Sequence, residues 1–434
     1  MSALLLAVWL VPLVGALMAV AGVARAISTR HREFWPFSGM LIIQITTIGN
    51  EETVNEIIRR IRDYHLTISH RIWVVTEPWA RATYPRADEV IVVPEEFRCR
   101  ASYKARALEY SRRLRQQRGL DDAAVKVLFV DDDSLPTKRY IERAYRADYD
   151  VCEGIPTPRI GYGRWLSHMD DLRVINCLSV CSLFQGFGHP IHVHGEGLCV
   201  RASAEAVVTW DHPIFASEDL VFGQLAAANG QTWGFIWEYI NITSPFTWKD
   251  FVRQRRRWLW GNIHAIRYIL PLRVSILLVA QYLFGLLTFL LSTAGIVLVL
   301  TGRIRLPSEV TALLWFSLSL WLGAFVVSGV ISSSGGSASL IKRVKDVVIA
   351  PLLALVTSAV AVGIWFVALF EGNPRRFDVI EKVDPRARRT SLADTTGFEP
   401  TGHTEPIPEP VIHLPDAVGS FADAPQVVSD EGSA

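Results

Sequence analysis

Four long apolar runs constrain this chain more than any other feature of its sequence. They cover residues 3–24, 274–300, 312–331 and 347–370. Each is long enough to cross a bilayer as a helix, which takes about 20 residues. Half of the 434 residues are hydrophobic, and the mean hydropathy of +0.24 is too high for an ordinary soluble protein. The sequence therefore predicts an integral membrane protein.

The first apolar run has two possible interpretations. The "ARA" triplet at 24–26 resembles the cleavage site of a signal peptide. However, no basic residue precedes the run, and the run is long for the apolar core of a signal peptide. We therefore predict a retained N-terminal transmembrane anchor over residues 1–26.

Arginines flank the region between the first and second runs on both sides. Because basic residues favour the cytoplasmic side, this region is predicted to face the cytoplasm in a multi-pass protein of the cell membrane. The last run is followed by the basic segment "NPRRFDVIEKVDPRARR", although three spans would place it outside, so the side of the tail stays open. The flanking residues are Arg25, Arg30 and Arg32 before the region, and Arg253, Arg255, Arg256 and Arg257 after it.

Residues 40–246 have the pattern of an α/β domain. The segments "MLIIQITTI", "RIWVVTE", "EVIVVPEE" and "VKVLFVDDDS" predict strands, and "SYKARALEYSRRLR" predicts a helix. Another helix is predicted after Asn50, which can cap it, because apolar residues recur at helical spacing from Val54 to Ile61. Strands that alternate with helices imply a mainly parallel sheet, which binds ligands at the carboxyl ends of its strands.

The rest of the chain divides by composition. Residues 247–270 predict an amphipathic interface helix, residues 271–371 hold about three spans, and residues 372–434 form a Pro-, Glu- and Thr-rich tail that is predicted to be largely disordered. The formal net charge is only +1, so no global field indicates a nucleic-acid partner.

The five cysteines predict reduced, buried thiols in a cytosolic domain. Cys177 and Cys181 could share a helix face, but nothing nearby in the sequence completes a zinc site. The other three are Cys99, Cys152 and Cys199.

The strongest chemical signal is "LFVDDDS", in which Asp131, Asp132 and Asp133 follow an apolar strand. Adjacent carboxylates repel one another unless a cation joins them. Their hard oxygen atoms suit Mg²⁺ or Mn²⁺ that carries substrate phosphates. The alternative hypothesis is a turn and helix cap, because the segment from Ser134 to Thr137 also opens a helix.

A second acidic pair lies in "FASEDLVFGQLAAANG", at the start of an apolar helical run. Ser217 could be the N-cap of that helix, with Glu218 and Asp219 in its first turn. A carboxylate held at a helix start near a metal-phosphate site is also well placed to be a general base.

The stretch "SPFTWKDFVRQRRRWLWG" crowds arginines and tryptophans directly before the second apolar run. Gln254, Arg257 and Trp258 form a Q-x-x-R-W motif, and on a helix Gln254 shares a face with the other two. Arg255 and Arg256 lie round the side and are expected to contact anionic headgroups. Arginine is also the side chain best shaped to hold phosphate oxygens.

The order of these signals resembles the membrane-bound family 2 glycosyltransferases of the GT-A fold. The chain is similar in particular to the egghead-like β-1,4-mannosyltransferase branch. That similarity rests on "VPEEFRCRASYKARALEYSRR", "FASEDLVFGQLAAANG" and "SPFTWKDFVRQRRRW", and it covers about residues 41–261. It implies a Rossmann-like α/β transferase domain between N-terminal and C-terminal transmembrane helices.

The resemblance also implies site residues. It makes Asp131 and Asp133 the ligands of Mg²⁺ or Mn²⁺, and it makes Asp219 the catalytic base with Glu218 as its neighbour. It implies a set of residues that bind the donor and its diphosphate, namely Lys104, Arg106, Asp131, Gln254, Arg257 and Trp258.

Two departures from the family pattern bear on the site. Family 2 enzymes often carry an acidic residue after the second strand to hold the nucleotide base, and here the strand ends in Thr76-Glu77-Pro78. The egghead-like branch more often has Asp-Glu-Glu where this chain has three aspartates, which affects the choice of the ligating pair.

The implied activity is inverting transfer of a sugar from GDP-mannose or a UDP-hexose to a glycolipid or polysaccharide acceptor at the membrane, with formation of a β-linkage. Two alternatives stay open: a processive polysaccharide synthase coupled to export, and an inactive scaffold with a transferase fold. A transporter is disfavoured, because the four apolar runs contain no acid or base that could line a substrate path.

Overall fold

The computed structural model describes residues 2–34, 37–160, 165–302, 306–334 and 340–373. Within them, eight strands form one sheet in the order β3-β2-β1-β4-β7-β6-β8-β5. The strands are β1 Met40–Thr47, β2 His70–Thr76, β3 Glu89–Val92, β4 Val125–Asp131, β5 Ser134–Pro136, β6 Val151–Ile160, β7 Cys199–Arg201 and β8 Trp233–Thr243.

The helices of the described residues are α1 Ser2–Ser28, α2 Glu51–Asp63, α3 Lys104–Gln117, α4 Lys138–Arg146, α5 Trp165–Asn176, α6 Ser182–Gln185, α7 Ala202–Val208, α8 Glu218–Ala228, α9 Trp248–Tyr268, α10 Leu272–Thr301, α11 Ser308–Ser334 and α12 Leu340–Glu371. A π-helical turn, Cys177–Cys181, joins α5 to α6. The predicted α/β class and all four predicted strands are confirmed.

The sheet is parallel in one half and mixed in the other. β1 pairs in parallel with both β2 and β4, and β2 pairs in parallel with β3. The prediction of a mainly parallel sheet holds for these four strands. Beyond β4 it is incomplete, because β7 runs antiparallel to both β4 and β6, and β5 runs antiparallel to β8. β7 is only three residues long and carries no alternating pattern that a sequence would reveal.

Helices cover both faces of the sheet. On one face, α2 buries Val54 and Ile61, the limits of the predicted apolar stripe, and α4 packs into the same cluster through Tyr140 and Ile141. On the other face, α3, α7 and α8 pack against β4, where Val127 is fully buried. The carboxyl end of β4 therefore opens between α3 and α8.

Three helices of the described residues are long and apolar enough to cross a membrane: Val8–Ser28, Leu272–Thr301 and Ser308–Val327. They correspond to the first three predicted spans. The fourth predicted span lies in α12, whose apolar part within the described residues, Val356–Glu371, is shorter than a span. The predicted tail lies outside the described residues from position 374 onward.

The N-terminal helix is held against the sheet domain by close backbone contact. A Cβ atom at Gly22 would lie 1.7 Å from the carbonyl oxygen of Ser179, so only glycine fits there. The hydroxyl of Ser182 donates to the carbonyl of Gly22 at 2.7 Å. α1 is thus packed tightly against the π-helical turn Cys177–Cys181.

Candidate active site

The three consecutive aspartates divide into two groups at the end of β4. The buried Asp132 carboxylate accepts hydrogen bonds from Thr47, at 2.9 Å, and from the side chain of Asn50. Asn50 makes no side-chain cap, so the predicted capping role is wrong: its amide is used to hold Asp132. Asp132 is therefore a structural residue that ties β4 to the end of β1.

Asp131 faces the other way and binds Lys104. The Lys104 ammonium donates to the Asp131 carboxylate and lies 3.4 Å from Glu218 Oε1. Burial alone would lower the pKa of Lys104, but Asp131 and Glu218 raise it well above its ordinary value. Burial raises the pKa of Asp131, and Glu196 and Asp133 add to that rise while Lys104 opposes it. Lys104 thus joins the acidic turn to the start of α8.

The backbone of Asp133 is fixed by the neighbouring strand. Its carbonyl accepts from the backbone amide of Thr243 at 3.2 Å and from the Thr243 hydroxyl at 3.0 Å. The alternative hypothesis for this segment was a turn and a helix cap. The cap is found further along the chain, at Thr137. The side chain of Thr137 accepts from the amide of Tyr140 and caps α4. The aspartates themselves cap no helix.

Asp219 lies in the first turn of α8 and points toward the same cluster. Its Oδ2 accepts from the backbone amide of Gly195 at 2.8 Å. Burial, and then the charge of Glu218, raise the pKa of Asp219 to about 7, although Lys104 opposes them. Burial therefore has the largest effect on the ionisation of this residue.

Ser217 does not act as a helix cap. It has a left-handed backbone with φ of 63°, and its side chain makes no capping hydrogen bond. Instead, its hydroxyl donates to the carbonyl of Trp258 at 3.4 Å. The start of α8 is therefore tied to the Q-x-x-R-W helix.

Two site residues were missed by the sequence analysis. Arg173 on α5 donates to both carboxylate oxygens of Glu196 at 2.9 Å. Burial would raise the pKa of Glu196, but Arg173 lowers it to about 2. The sequence feature that could have revealed Glu196 is the segment "HVHGEG", in which this acidic residue lies between two glycines shortly before a strand.

The Q-x-x-R-W motif reaches the site through Arg173. The Arg173 guanidinium lies 5.1 Å from the ring centroid of Trp258, and the Arg255 guanidinium lies 4.4 Å from it. Gln254 and Arg257 lie on the same helix, α9, and both are partly buried. Gln254 Oε1 is buried without a hydrogen-bond partner among the described residues. The structure thus brings α9 to the acidic cluster.

Two arginines of α9 do not point to headgroups as expected. Arg255 pairs with the buried Asp170. Arg256 donates to the backbone carbonyls of Glu371 and Gly372 at 2.9 Å, and so interacts with the C-terminal end of α12. Cations are stabilised at helix C-termini, where carbonyl groups lack partners. These two arginines therefore fix helices to one another.

Arg106 is engaged at the edge of the site. Its guanidinium binds Glu77 and donates to the carbonyls of Pro94, at 2.6 Å, and Phe97. Glu77, the acidic residue after β2, is only 4% exposed. Burial raises the pKa of Glu77, and Arg106 opposes that rise. Both residues form one ion pair, so the role of Arg106 in donor binding stays a prediction.

The cysteines lie as predicted, free and mostly buried, and one histidine joins two of them. His194 lies close to Cys177 and Cys181, and their ligand atoms are within 4.8 Å of one another. This histidine is brought in by the loop before β7, which the sequence analysis could not place. Within the described residues no fourth His, Cys, Asp or Glu joins the group, so the ligand set is one short of a structural zinc site. All cysteines are free, and four are buried; Cys99 is partly exposed.

The side chains around β4 offer carboxylate oxygens, the donors that a hard divalent cation prefers, although among the described residues no three of them have ligand atoms within 4.8 Å of one another. Five carboxylates interact there with two cationic side chains, Lys104 and Arg173. The excess of oxygen donors and negative charge is the chemistry that Mg²⁺ and Mn²⁺ require. The carboxylates are Asp131, Asp133, Glu196, Glu218 and Asp219.

Comparison with known proteins identifies the family of this chain. A family model described as glycosyl transferase family group 2 matches residues 126–367. The chain is 28% identical over 275 residues to the β-1,4-mannosyltransferase egh of Drosophila melanogaster, covering 60% of this chain and 59% of that protein. It is 30% identical over 194 residues to the β-1,4-mannosyltransferase bre-3 of Caenorhabditis briggsae, covering 42% of each. The chain thus spans about half the length of these relatives.

Among solved structures, the mannosyltransferase PcManGT from Pyrobaculum calidifontis, in complex with GDP-Man and Mn²⁺, has a TM-score of 0.46 and 12% identity. The match covers 85% of this chain and 100% of that one. The family match and the two β-1,4-mannosyltransferases confirm the predicted GT-A class and the resemblance to the egghead-like branch.

Proposed function

Because this chain belongs to glycosyl transferase family group 2, we propose that it moves a sugar from a nucleotide-diphosphate sugar to a membrane-associated acceptor with inversion. The observation that carries this proposal is the placement of Asp219 beside the Lys104–Asp131 pair at the carboxyl end of β4. The donor is GDP-mannose or a UDP-hexose, and the acceptor is a glycolipid or a polysaccharide.

Asp131 and Asp133 are the residues that would hold a divalent cation in this proposal. Mg²⁺ or Mn²⁺, when bound there, supplies positive charge for the diphosphate of the donor. Lys104 orients Asp131 and carries a second positive charge toward the same space. Asp132 takes no part, since its carboxylate is bound to Thr47 and Asn50.

Asp219 is proposed as the base. The acceptor hydroxyl attacks the anomeric carbon from the face opposite the diphosphate, and it loses its proton as the new bond forms. A carboxylate with a pKa near 7 is well matched to that proton, because a base is most effective near the working pH. The backbone amides of Gly195 and Leu220 each donate to one of its oxygens and hold the carboxylate in a fixed orientation at the start of α8.

Gln254, Arg257 and Trp258 are proposed to close the site around diphosphate and acceptor. The ring of Trp258 lies against Arg173, which in turn binds Glu196 of the acidic cluster. α9 leads directly into the apolar helix α10, so the same helix that borders the donor site also borders the membrane. This supports an acceptor that is delivered from the bilayer, and we propose that the catalytic domain faces the cytoplasm.

A panel of donors tests the activity. Membranes that contain the full chain, and matched membranes that contain an Asp219→Asn variant, are incubated with radiolabelled GDP-mannose, UDP-glucose and UDP-galactose. We expect one donor to label lipid or polysaccharide only with the native chain. Labelled short glycolipids indicate single additions, and a growing polymer indicates a processive synthase. Equal label in both membranes for every donor would instead support the inactive scaffold.

A cysteine introduced at Glu52, an exposed position on α2, tests the orientation. We expect a membrane-impermeant maleimide to leave this Glu52→Cys chain unlabelled in intact cells and to label it after permeabilisation, because sugar nucleotides are cytosolic. The native Cys99 is a poorer probe, since it is partly buried and burial raises the pKa of its thiol. Labelling at Glu52→Cys in intact cells would contradict a cytoplasmic domain.

A further inference from the structure

A cavity of about 740 Å³ lies on the face of the sheet opposite to the candidate active site. Its walls come from the segment that follows α1, from α4 and from β8. α4 packs on the face that carries α2, whereas Lys104 and Asp219 belong to α3 and α8 on the other face. The cavity is therefore separate from the proposed transfer site.

The walls of this cavity are rich in arginine. Arg139, Arg143 and Arg146 are spaced i, i+4 and i+7 on α4, so they lie on one side of that helix. Arg30 and Arg32 come from the segment after α1 and line the same space. Three acidic residues also line it, Glu33, Glu142 and Glu238, so arginines outnumber carboxylates.

The guanidinium groups around this cavity are only partly neutralised: Arg32 pairs with Asp148, and Glu238 interacts electrostatically with Arg143, Arg139 and Arg30. Arg143 Nη2 donates to the carbonyls of Thr29 and Arg32 at 2.9 Å, but its Nε is buried and has no hydrogen-bond partner among the described residues. Arg30, Arg139 and Arg146 are exposed, and among the described residues their side chains make no direct hydrogen bond or ion pair. A buried donor without a partner is costly, and a cavity-bound anion would satisfy it.

The cavity also lies next to the predicted membrane boundary. The first candidate span ends at Ser28, and Arg30 follows two residues later. Because a residue advances the chain by at most about 3.6 Å, Arg30 lies within roughly 10 Å of the end of the span. This distance corresponds to the headgroup region of a bilayer. The aromatic side chain of Phe34 lines the cavity as well.

We propose that this cavity binds a phosphate group, and that an anionic membrane lipid supplies it through its headgroup. Guanidinium groups bind phosphate oxygens through paired, charge-assisted hydrogen bonds. A lipid held between α4 and the segment after α1 would fix the sheet domain against the bilayer. A soluble anion is the alternative source of the phosphate, and the affinities of the protein for the lipid and for the free anion distinguish the two.

The full chain in a neutral detergent is titrated with dioctanoyl phosphatidic acid, with dioctanoyl phosphatidylcholine and with inorganic phosphate. We expect the phosphatidic acid to bind most tightly. The double variant Arg139→Gln, Arg146→Gln should weaken that affinity by about tenfold or more, since a hydrogen bond to a charged group is commonly worth a factor of that size. The control is Arg59→Gln, Arg60→Gln on α2, which removes the same charge from exposed positions.

The outcomes separate the sources and can overturn the proposal. Equal affinity for inorganic phosphate and phosphatidic acid would keep the phosphate site but assign it to a soluble anion. The proposal would be overturned if both double variants lowered the affinity equally, or if neither of them lowered it. The melting temperature of each variant without ligand checks folding, and Arg30→Gln is a second, independent variant outside α4. The readout is binding, so it does not depend on sugar transfer.

Discussion

Replacing Asp131 by Asn is expected to lower kcat/KM for sugar transfer by roughly 10³-fold or more, because a cation at a departing diphosphate contributes several kcal/mol. Asp131 is the aspartate of the turn that binds Lys104 and interacts with Glu196 and Asp133, so its charge lies at the centre of the donor set. The same change at Asp133 is expected to act in the same direction. Native activity should be lost in EDTA and restored by Mn²⁺ or Mg²⁺, as measured by release of the nucleoside diphosphate.

Asp132→Asn provides the matched control for this prediction. Asp132 has the same side chain in the same turn, but it accepts hydrogen bonds from Thr47 and Asn50. Its replacement should lower the melting temperature and leave the Mn²⁺ concentration for half-maximal activity unchanged. Asp131→Asn should raise that concentration. Full native activity in chelator, or an equal shift for all three variants, would remove the metal assignment.

The difference between these aspartates shows what the sequence could and could not predict. The apolar residues of "VKVLFV" predict strand β4, because the hydrophobicity of a residue indicates directly whether that residue is buried. The pattern cannot show that Asn50, a good cap by residue type, would bind Asp132 instead, because that contact joins residues 82 positions apart. The three aspartates could be located from the sequence, but their separate roles could not be assigned.

The Arg173–Glu196 pair was missed for a similar reason. Arg173 belongs to α5, and Glu196 lies in the loop before the three-residue strand β7, which is too short for a periodic signal. The arginines of α9 could be predicted as a basic helix next to the membrane. Their partners could not, because Asp170 and the end of α12 come together only in the folded chain.

Replacing Asp219 by Asn should leave donor binding nearly normal and lower turnover by roughly 10²–10⁴-fold, the usual contribution of a positioned base. Asparagine keeps one acceptor oxygen, so it can accept from only one of the two backbone amides, of Gly195 and Leu220, that bind the Asp219 carboxylate, and the melting temperature of the variant checks the fold. Glu218→Gln is the control: Glu218 interacts with Lys104 at 3.4 Å, and its loss should reduce turnover less. Nucleotide binding by titration, and turnover under saturating donor, separate the two steps. Loss of nucleotide binding in Asp219→Asn would assign the residue to the donor site, and unchanged turnover would make it structural.

The pH dependence of the native enzyme gives an independent measure of the same residue. A base must be ionised to accept a proton, and burial with the charge of Glu218 raises the pKa of Asp219 to about 7. As the pH falls through about 7, protonation of Asp219 removes the proposed base, so kcat/KM should decrease. Well below that pH the decrease should approach tenfold per pH unit. An exposed aspartate would instead keep its activity down to about pH 4. The residual activity of Asp219→Asn should lack this acidic limb, because the group that titrates there is gone. A variant that keeps the limb with its midpoint near 7 would show that another group is the base.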